Sequence, residues 1–128
     1  MNFDGVFDEK DVSPYTGYNY GVLTSKASFS CGNNFPWFMH EHGAMILGEQ
    51  SGGGACAIRM SGVGGMDMRN SAASSIGVTD EGGSIDNGCP VDANLLGDGE
   101  NPTVGFYNLT ALSELMNEFF GESLEQAA

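Results

Sequence analysis

The sequence predicts an α/β chain, and three observations carry that prediction. A short β-rich run, a stretch with helical period and a second apolar run follow one another between residues 20 and 49. Glycine clusters at 52–54, 62–65 and 82–83 separate the segments that come after. A clean amphipathic stripe closes the chain. The glycines have no fixed period, so they read as sharp turns and close backbone approaches rather than as a low-complexity linker.

Residues 1–19 form an irregular acidic lead-in. Within it, "NFDGVFDEKD" carries Asn2, Asp4, Asp8 and Asp11 at spacings that echo a calcium loop entered two residues late. The second helix of an EF-hand does not follow. An acidic turn and a calcium loop both remain open.

"YGVLTS" (20–25) reads as a short buried strand. After the small polar cluster Ser28–Asn34, Phe35, Phe38, Met39 and His42 fall at i, i+3, i+4 and i+7, one face of a helix. Pro36 is tolerated only in a first turn, so the helix starts near Cys31–Asn33. Gly43 is the expected C′ residue. "AMILGE" (44–49) is a continuous apolar run, the pattern of a strand covered on both faces. Strand, helix and strand with short connections predict a right-handed parallel crossover.

Beyond it, "GACAIRM", "MRNSAASSIGV" and "GSIDNGCPVD" predict further short strands with glycine turns. Asn108 then caps a helix with Leu109, Leu112, Leu115, Met116, Phe119 and Phe120 on its apolar stripe, ended by Gly121. That stripe is core packing.

Four basic against seventeen acidic residues give a net charge of −13, which argues against nucleic acid or an anionic membrane as partner. No apolar run approaches the ~20 residues that span a bilayer, and the N-terminus is no signal peptide. Cys31, Cys56 and Cys89 are odd in number and lack a CxxC spacing, so neither a disulfide framework nor a zinc site is signalled. No metal or other cofactor is implied, and the compartment is left open.

The chemistry centres on Ser30, where the first strand hands over to the helix. Nucleophilic serines favour such turns, because Oγ is exposed while free amides at the helix N-terminus can hold an oxyanion. Serines also cap helices for stability alone, and the motif is not G-x-S-x-G.

The string "VLTSKASFSCGNNF…HGAMILGEQSGGGACAI…GSIDNGCPVD" resembles the C-terminal processing (tail-specific) serine peptidases and their tricorn-core and interphotoreceptor-retinoid-binding-protein relatives. It covers roughly residues 20–96, leaving 97–128 as loop and C-terminal helix. The resemblance implies a crotonase-like core, hydrolysis of a polypeptide substrate, Ser30 as nucleophile and the Cys31 N–H as one oxyanion donor. Gly48 and Glu49 match a structural pair closing the second strand.

The loop that carries a lysine base in the bacterial peptidases is here Gly52-Gly53-Gly54-Ala55, so a Ser/Lys dyad is excluded. The remaining form, tricorn-like, uses an upstream histidine and a late acidic residue. Asp86 is the best match for the latter, although a turn aspartate before Asn87-Gly88 is an equal reading.

His40 and His42 lie ~10 residues along the helix, about 15 Å from its start at ~1.5 Å per residue, out of reach of Ser30. Lys26 is carried away along an extended strand. The resemblance places the base and the second oxyanion donor upstream of the Ser30 segment, where these residues contain no histidine. The expectation is therefore the C-terminal portion of a peptidase domain, partial in its sheet. Alone it is inactive, and it pairs with the missing N-terminal portion or with itself. The alternative is a non-catalytic ligand- or peptide-binding module of the same fold.

Overall fold

The computed structural model describes residues 15–98 and 100–121. The acidic stretch holding Asn2, Asp4, Asp8 and Asp11 lies outside the described residues. Mixed α/β architecture is observed: two helices, a three-stranded parallel sheet and a separate two-stranded antiparallel sheet.

The first strand, β1 (Gly21–Thr24), pairs in parallel with β2 (Met45–Gly48), in register Val22 to Ile46. Between them runs α1 (Cys31–Glu41), capped by His42 and followed by Gly43 at φ 84°, the left-handed C′ position the sequence announces. All four β2 residues are buried. Ile46 faces one side, with Val22, Ala44 and Cys89 under Trp37 and Met39 of α1. Met45 and Leu47 face the other, under Leu112, Leu115, Met116 and Phe120 of the C-terminal helix. A strand sandwiched between two helices needs apolar residues at every position, which is why its run is continuous. Full burial of Ile46 and Leu47 contributes about 1.5–3 kcal/mol each.

The second helix, α2 (Leu109–Phe120), follows a 3-10 turn at Val104–Tyr107. Asn108 Oδ1 accepts from the Ala111 amide at 3.2 Å, and Gly121 ends the helix in the left-handed region at φ 69°. The stripe is narrower than the apolar spacing predicts, because Leu109 and Phe119 are exposed.

The face of α1 also departs from expectation. Phe35 and Phe38 are each 56% exposed and His42 lies in solvent; the side turned inward carries Asn33, Pro36 and Trp37. Apolarity alone misplaces this face, because the helix is anchored through a buried polar side chain, Asn33. His42 instead stacks on Phe38 and brings Nδ1 within 2.7 Å of the Phe38 carbonyl.

Instead of several short strands, the middle of the chain forms one long hairpin. Strand β3 (Cys56–Val63) pairs with β4 (Met66–Ile76) across Gly64-Gly65. Both glycines have positive φ, 60° and 81°, the requirement of a two-residue type I′ turn matched to strand twist. The register slips between Cys56 and Ala57, where β4 carries extra residues. "GSIDNGCPVD" forms no strand beyond an isolated Val78–Ser84 bridge. The parallel sheet is completed by β5 (Ala93–Asn94), two residues beside Leu47 and Gly48, which gives the order β1-β2-β5. No described helix is long and apolar enough to cross a membrane.

Candidate active site

Ser30 stands immediately before α1, but not at the end of β1. That strand stops at Thr24, and a four-residue turn, Ser25–Ser28, follows, tied by Ser28 N–H to the Ser25 carbonyl at 2.8 Å. Phe29 then makes a single parallel bridge to Gly53. Ser30 has φ 58° and ψ −115°, the one positive φ outside glycine among the described residues. Such a conformation costs an L-residue about 1–3 kcal/mol and persists only where the surroundings over-determine it.

The surroundings are specific. The Ser30 amide donates to the Gly53 carbonyl at 2.9 Å, and its carbonyl accepts from Asn33 and Asn34 at 2.9 Å. Both backbone groups are thus fixed, one to the glycine loop and one to the first helical turn. The side chain makes no capping bond, unlike an ordinary serine N-cap, and the residue is exposed. The amide of Gly32 goes to the Phe29 carbonyl at 3.0 Å. That leaves the Cys31 amide as the one in this turn taken by no described acceptor.

The glycine loop reaches Ser30 because it has no side chains. A Cβ on Gly53, at φ 82°, would collide with the Asp86 carbonyl, and one on Gly54 would strike the Phe29 ring at 2.7 Å. Backbone therefore packs on backbone, and Ser30, Gly52, Gly54 and Asp86 line one depression of about 320 Å3 with Phe29 and Ile58.

Asp86 is held there by its own work on the loop: its carbonyl accepts from Gly54 at 3.2 Å and its Oδ1 from the Ala55 amide at 2.8 Å. A carboxylate so used is a clamp on the loop that also borders the serine. The structure thus gathers Ser30, Cys31 and Asp86 with the loop Gly52–Gly54 around one end of α1.

It does not bring the histidines there. His40 packs edge-on to Trp37 and borders a separate hollow with Glu41, Thr79 and Asp80. Lys26 is paired with Glu49 at 2.9 Å, and Glu49 also accepts from the Lys26 amide at 3.3 Å. The Glu49 carboxylate holds the Lys26 ammonium above its ordinary range by hydrogen bonding and charge, and is itself held below the usual carboxylate range. Lys26 is thus engaged with Glu49 rather than with Ser30. Among the described residues, no side chain is hydrogen-bonded to Ser30 Oγ.

One feature escapes sequence reasoning altogether. Asn33 is fully buried and donates from Nδ2 to the Ile85 carbonyl at 2.9 Å. Its Oδ1 accepts from the buried Ser51 hydroxyl at 2.6 Å, and that hydroxyl accepts from the Cys89 amide at 2.6 Å. The Ser51 amide donates to the Cys89 carbonyl at 3.2 Å. One buried network thus binds the first turn of α1, the residue before the glycine loop and the 85–89 turn. No spacing rule links positions 33, 51 and 89. The only sequence signal is a pair of polar residues, Asn33 and Ser51, flanking the elements that matter. Cys89 sits beside this network in the core, where burial and the Asp92 carboxylate push its thiol up to about 11.

No family model, no curated protein and no solved structure matches the chain.

Proposed function

We propose that the chain carries the nucleophile half of a serine peptidase site, with Ser30 attacking the carbonyl of a polypeptide substrate. The observation that carries this reading is the Ser30 backbone. A strained serine that spends its hydroxyl on no cap, at a helix N-terminus with a free Cys31 amide, is arranged as nucleophilic turns are. In the reaction, Oγ adds to the carbonyl carbon, its proton passes to a base, and the Cys31 N–H donates to the oxyanion. The resemblance to the tail-specific peptidases, and with it a crotonase-like completion of the sheet, supports the same assignment. Asp86 is the acidic member and the loop Gly52–Gly54 is the floor on which substrate lies. The base comes from a further polypeptide segment, supplied by an N-terminal portion or by another copy.

The test is a fluorophosphonate probe, read by intact mass and peptide mapping. Ser30 is expected to label slowly, to label faster when imidazole is supplied as a diffusible base, and not to label as Ser30→Ala. Labelling no faster than at Ser113, an exposed serine on α2, would remove the proposal.

A second reading has one observation in its favour: no described base reaches Ser30 Oγ. On that reading the depression binds an extended peptide or another ligand without turnover. Peptide binding that is identical in wild type and Ser30→Ala, with no probe labelling, selects it.

A further inference from the structure

The fold sorts the three cysteines into one and two. Cys89 is fully buried, and burial with the Asp92 carboxylate pushes its thiol up to about 11, so near neutral pH it is neither reached nor ionised. Cys31 is exposed and Cys56 half-buried, and both are free thiols. Distant in sequence, these two residues line one hollow of about 510 Å3 together with Ser30, Asn34, Gly54 and Ile58.

Backbone bonds hold the two cysteine-bearing segments side by side. The Ser30 amide donates to the Gly53 carbonyl at 2.9 Å, one residue before Cys31 and three before Cys56. The Ala55 amide donates to Asp86 Oδ1 at 2.8 Å, and the Ala55 carbonyl accepts from Gly77 at 2.9 Å, so the backbone leading into Cys56 is fixed. Cys56 itself pairs with Ile76, outside the continuous row of cross-strand pairs that begins after the register slip at Ala57. A disulfide requires Cα atoms about 4.4–6.8 Å apart. Bridged strands lie ~4.8 Å apart, so the Phe29–Gly53 bridge brings the two segments within that span just ahead of both cysteines.

We propose that Cys31 and Cys56 are a redox pair, which closes a disulfide across the Ser30 hollow when a low-molecular-weight disulfide oxidises it. Cys31, the more exposed, reacts first: its thiolate bonds to one sulfur of the reagent and expels the other as a thiolate. The Cys56 thiolate then attacks Cys31 Sγ, forms the internal S–S bond and releases the second half of the reagent. Two electrons pass from the pair to the reagent, which leaves as two thiols carrying the two protons. The new bond takes space in which a carbonyl would approach Ser30 Oγ, so oxidation closes the site and reduction opens it. That consequence rests on the nucleophile reading of Ser30; the pairing does not.

The reduced full chain, freed of reductant, is incubated with 2-hydroxyethyl disulfide. The reagent is uncharged because a net charge of −13 repels anionic disulfides. Free thiols are then alkylated, and the chain is read by intact mass and by non-reducing digestion at glutamate, which cuts at Glu41 and Glu49 between the pair. Expected are the loss of two hydrogen atoms, a cross-linked Cys31–Cys56 peptide, and Cys89 alkylated only after denaturation. Cys56→Ser is expected to stop at a stable reagent adduct on Cys31. An unmodified wild-type chain, a stable adduct on its Cys31, a bond to Cys89 or a bond between two copies overturns the proposal. Fluorophosphonate labelling of Ser30 is the second readout, expected to be lost in the oxidised chain and restored by dithiothreitol. In Cys31→Ser/Cys56→Ser, labelling is expected to ignore the oxidant. A cross-linked chain that labels as fast as the reduced one overturns closure of the site. A cross-link with no labelling in either state removes the nucleophile reading and leaves the pair.

Discussion

At Ser30, strain and side-chain freedom make separable claims on stability. An N-cap serine replaced by alanine ordinarily costs about 0.5–2 kcal/mol, because its oxygen satisfies a helix amide. Ser30 makes no such bond, so Ser30→Ala is expected to change stability by less than about 0.5 kcal/mol. Glycine removes the penalty of a Cβ at φ 58° while adding freedom to the unfolded chain, a cost of about 0.4–1 kcal/mol. Ser30→Gly is therefore expected to raise the urea midpoint by the equivalent of about 1 kcal/mol, while abolishing labelling by the fluorophosphonate. A stabilising loss of the serine is what a residue kept for chemistry predicts. A loss of 1 kcal/mol or more in Ser30→Ala would show an ordinary cap instead.

Among the elements, the ones placed by strong local rules were readable in advance. The continuous apolar run of β2 announces burial on both faces. Gly43 and Gly121 fix the ends of α1 and α2, and Asn108 the second N-cap; Pro36, expected in the first turn of α1, instead lies inside the helix as its sixth residue and does not set its start. The elements placed by tertiary contact were not. Asn33 looks like a turn residue and is fully buried, because Ser51, eighteen positions later, completes its hydrogen bonds. The hairpin shows no clean alternation because neither face is covered, and β5 exists only as two residues in register with β2. At the site, the place of Ser30 just before α1 was legible from its small-residue setting, whereas the turn that separates it from β1 was not, nor was the loop clamp of Asp86, since it depends on the Ala55 amide. The buried network makes its own prediction. Ser51→Ala leaves Asn33 Oδ1 and the Cys89 amide unsatisfied in the core, so a loss of about 1–3 kcal/mol is expected. Because that network joins the glycine loop to α1, the variant should also slow Ser30 labelling; Thr at position 51, which keeps the hydroxyl, should recover part of both. Unchanged stability in Ser51→Ala would mean that water replaces the hydroxyl and the junction is not dry.

For the molecule as a whole, the response to pH separates surface charge from the core. Three described groups are displaced in their ionisation. Glu49 is held low, so its contribution is present above its ordinary range and fades as pH falls. Lys26 is held high, so its contribution is present below its ordinary range and fades as pH rises. Lys26 is exposed and Glu49 partly buried, and screening at the exposed lysine leaves the pair little to contribute. Cys89 differs, because it is fully buried between β2 and α1 and its thiol is raised from 9.0 to about 11. The apolar surroundings, and then the Asp92 charge, oppose the thiolate. In the unfolded chain the thiol loses its proton at its ordinary value, so above pH 9 the unfolded state binds fewer protons than the native one. The stability tied to this group is whole below pH 9 and falls between pH 9 and about 11, by about 2–3 kcal/mol in all. Urea midpoints of wild type and Cys89→Ala at pH 7, 9 and 10.5 isolate the effect, since tyrosines and surface charges are common to both. Cys89→Ala is expected to start lower, having lost buried volume beside Ile46 and Val22, and to decline less steeply above pH 9, so that the two curves converge. Parallel curves would show that the thiol ionises without unfolding, and that the α1 face of the sandwich admits water at Cys89.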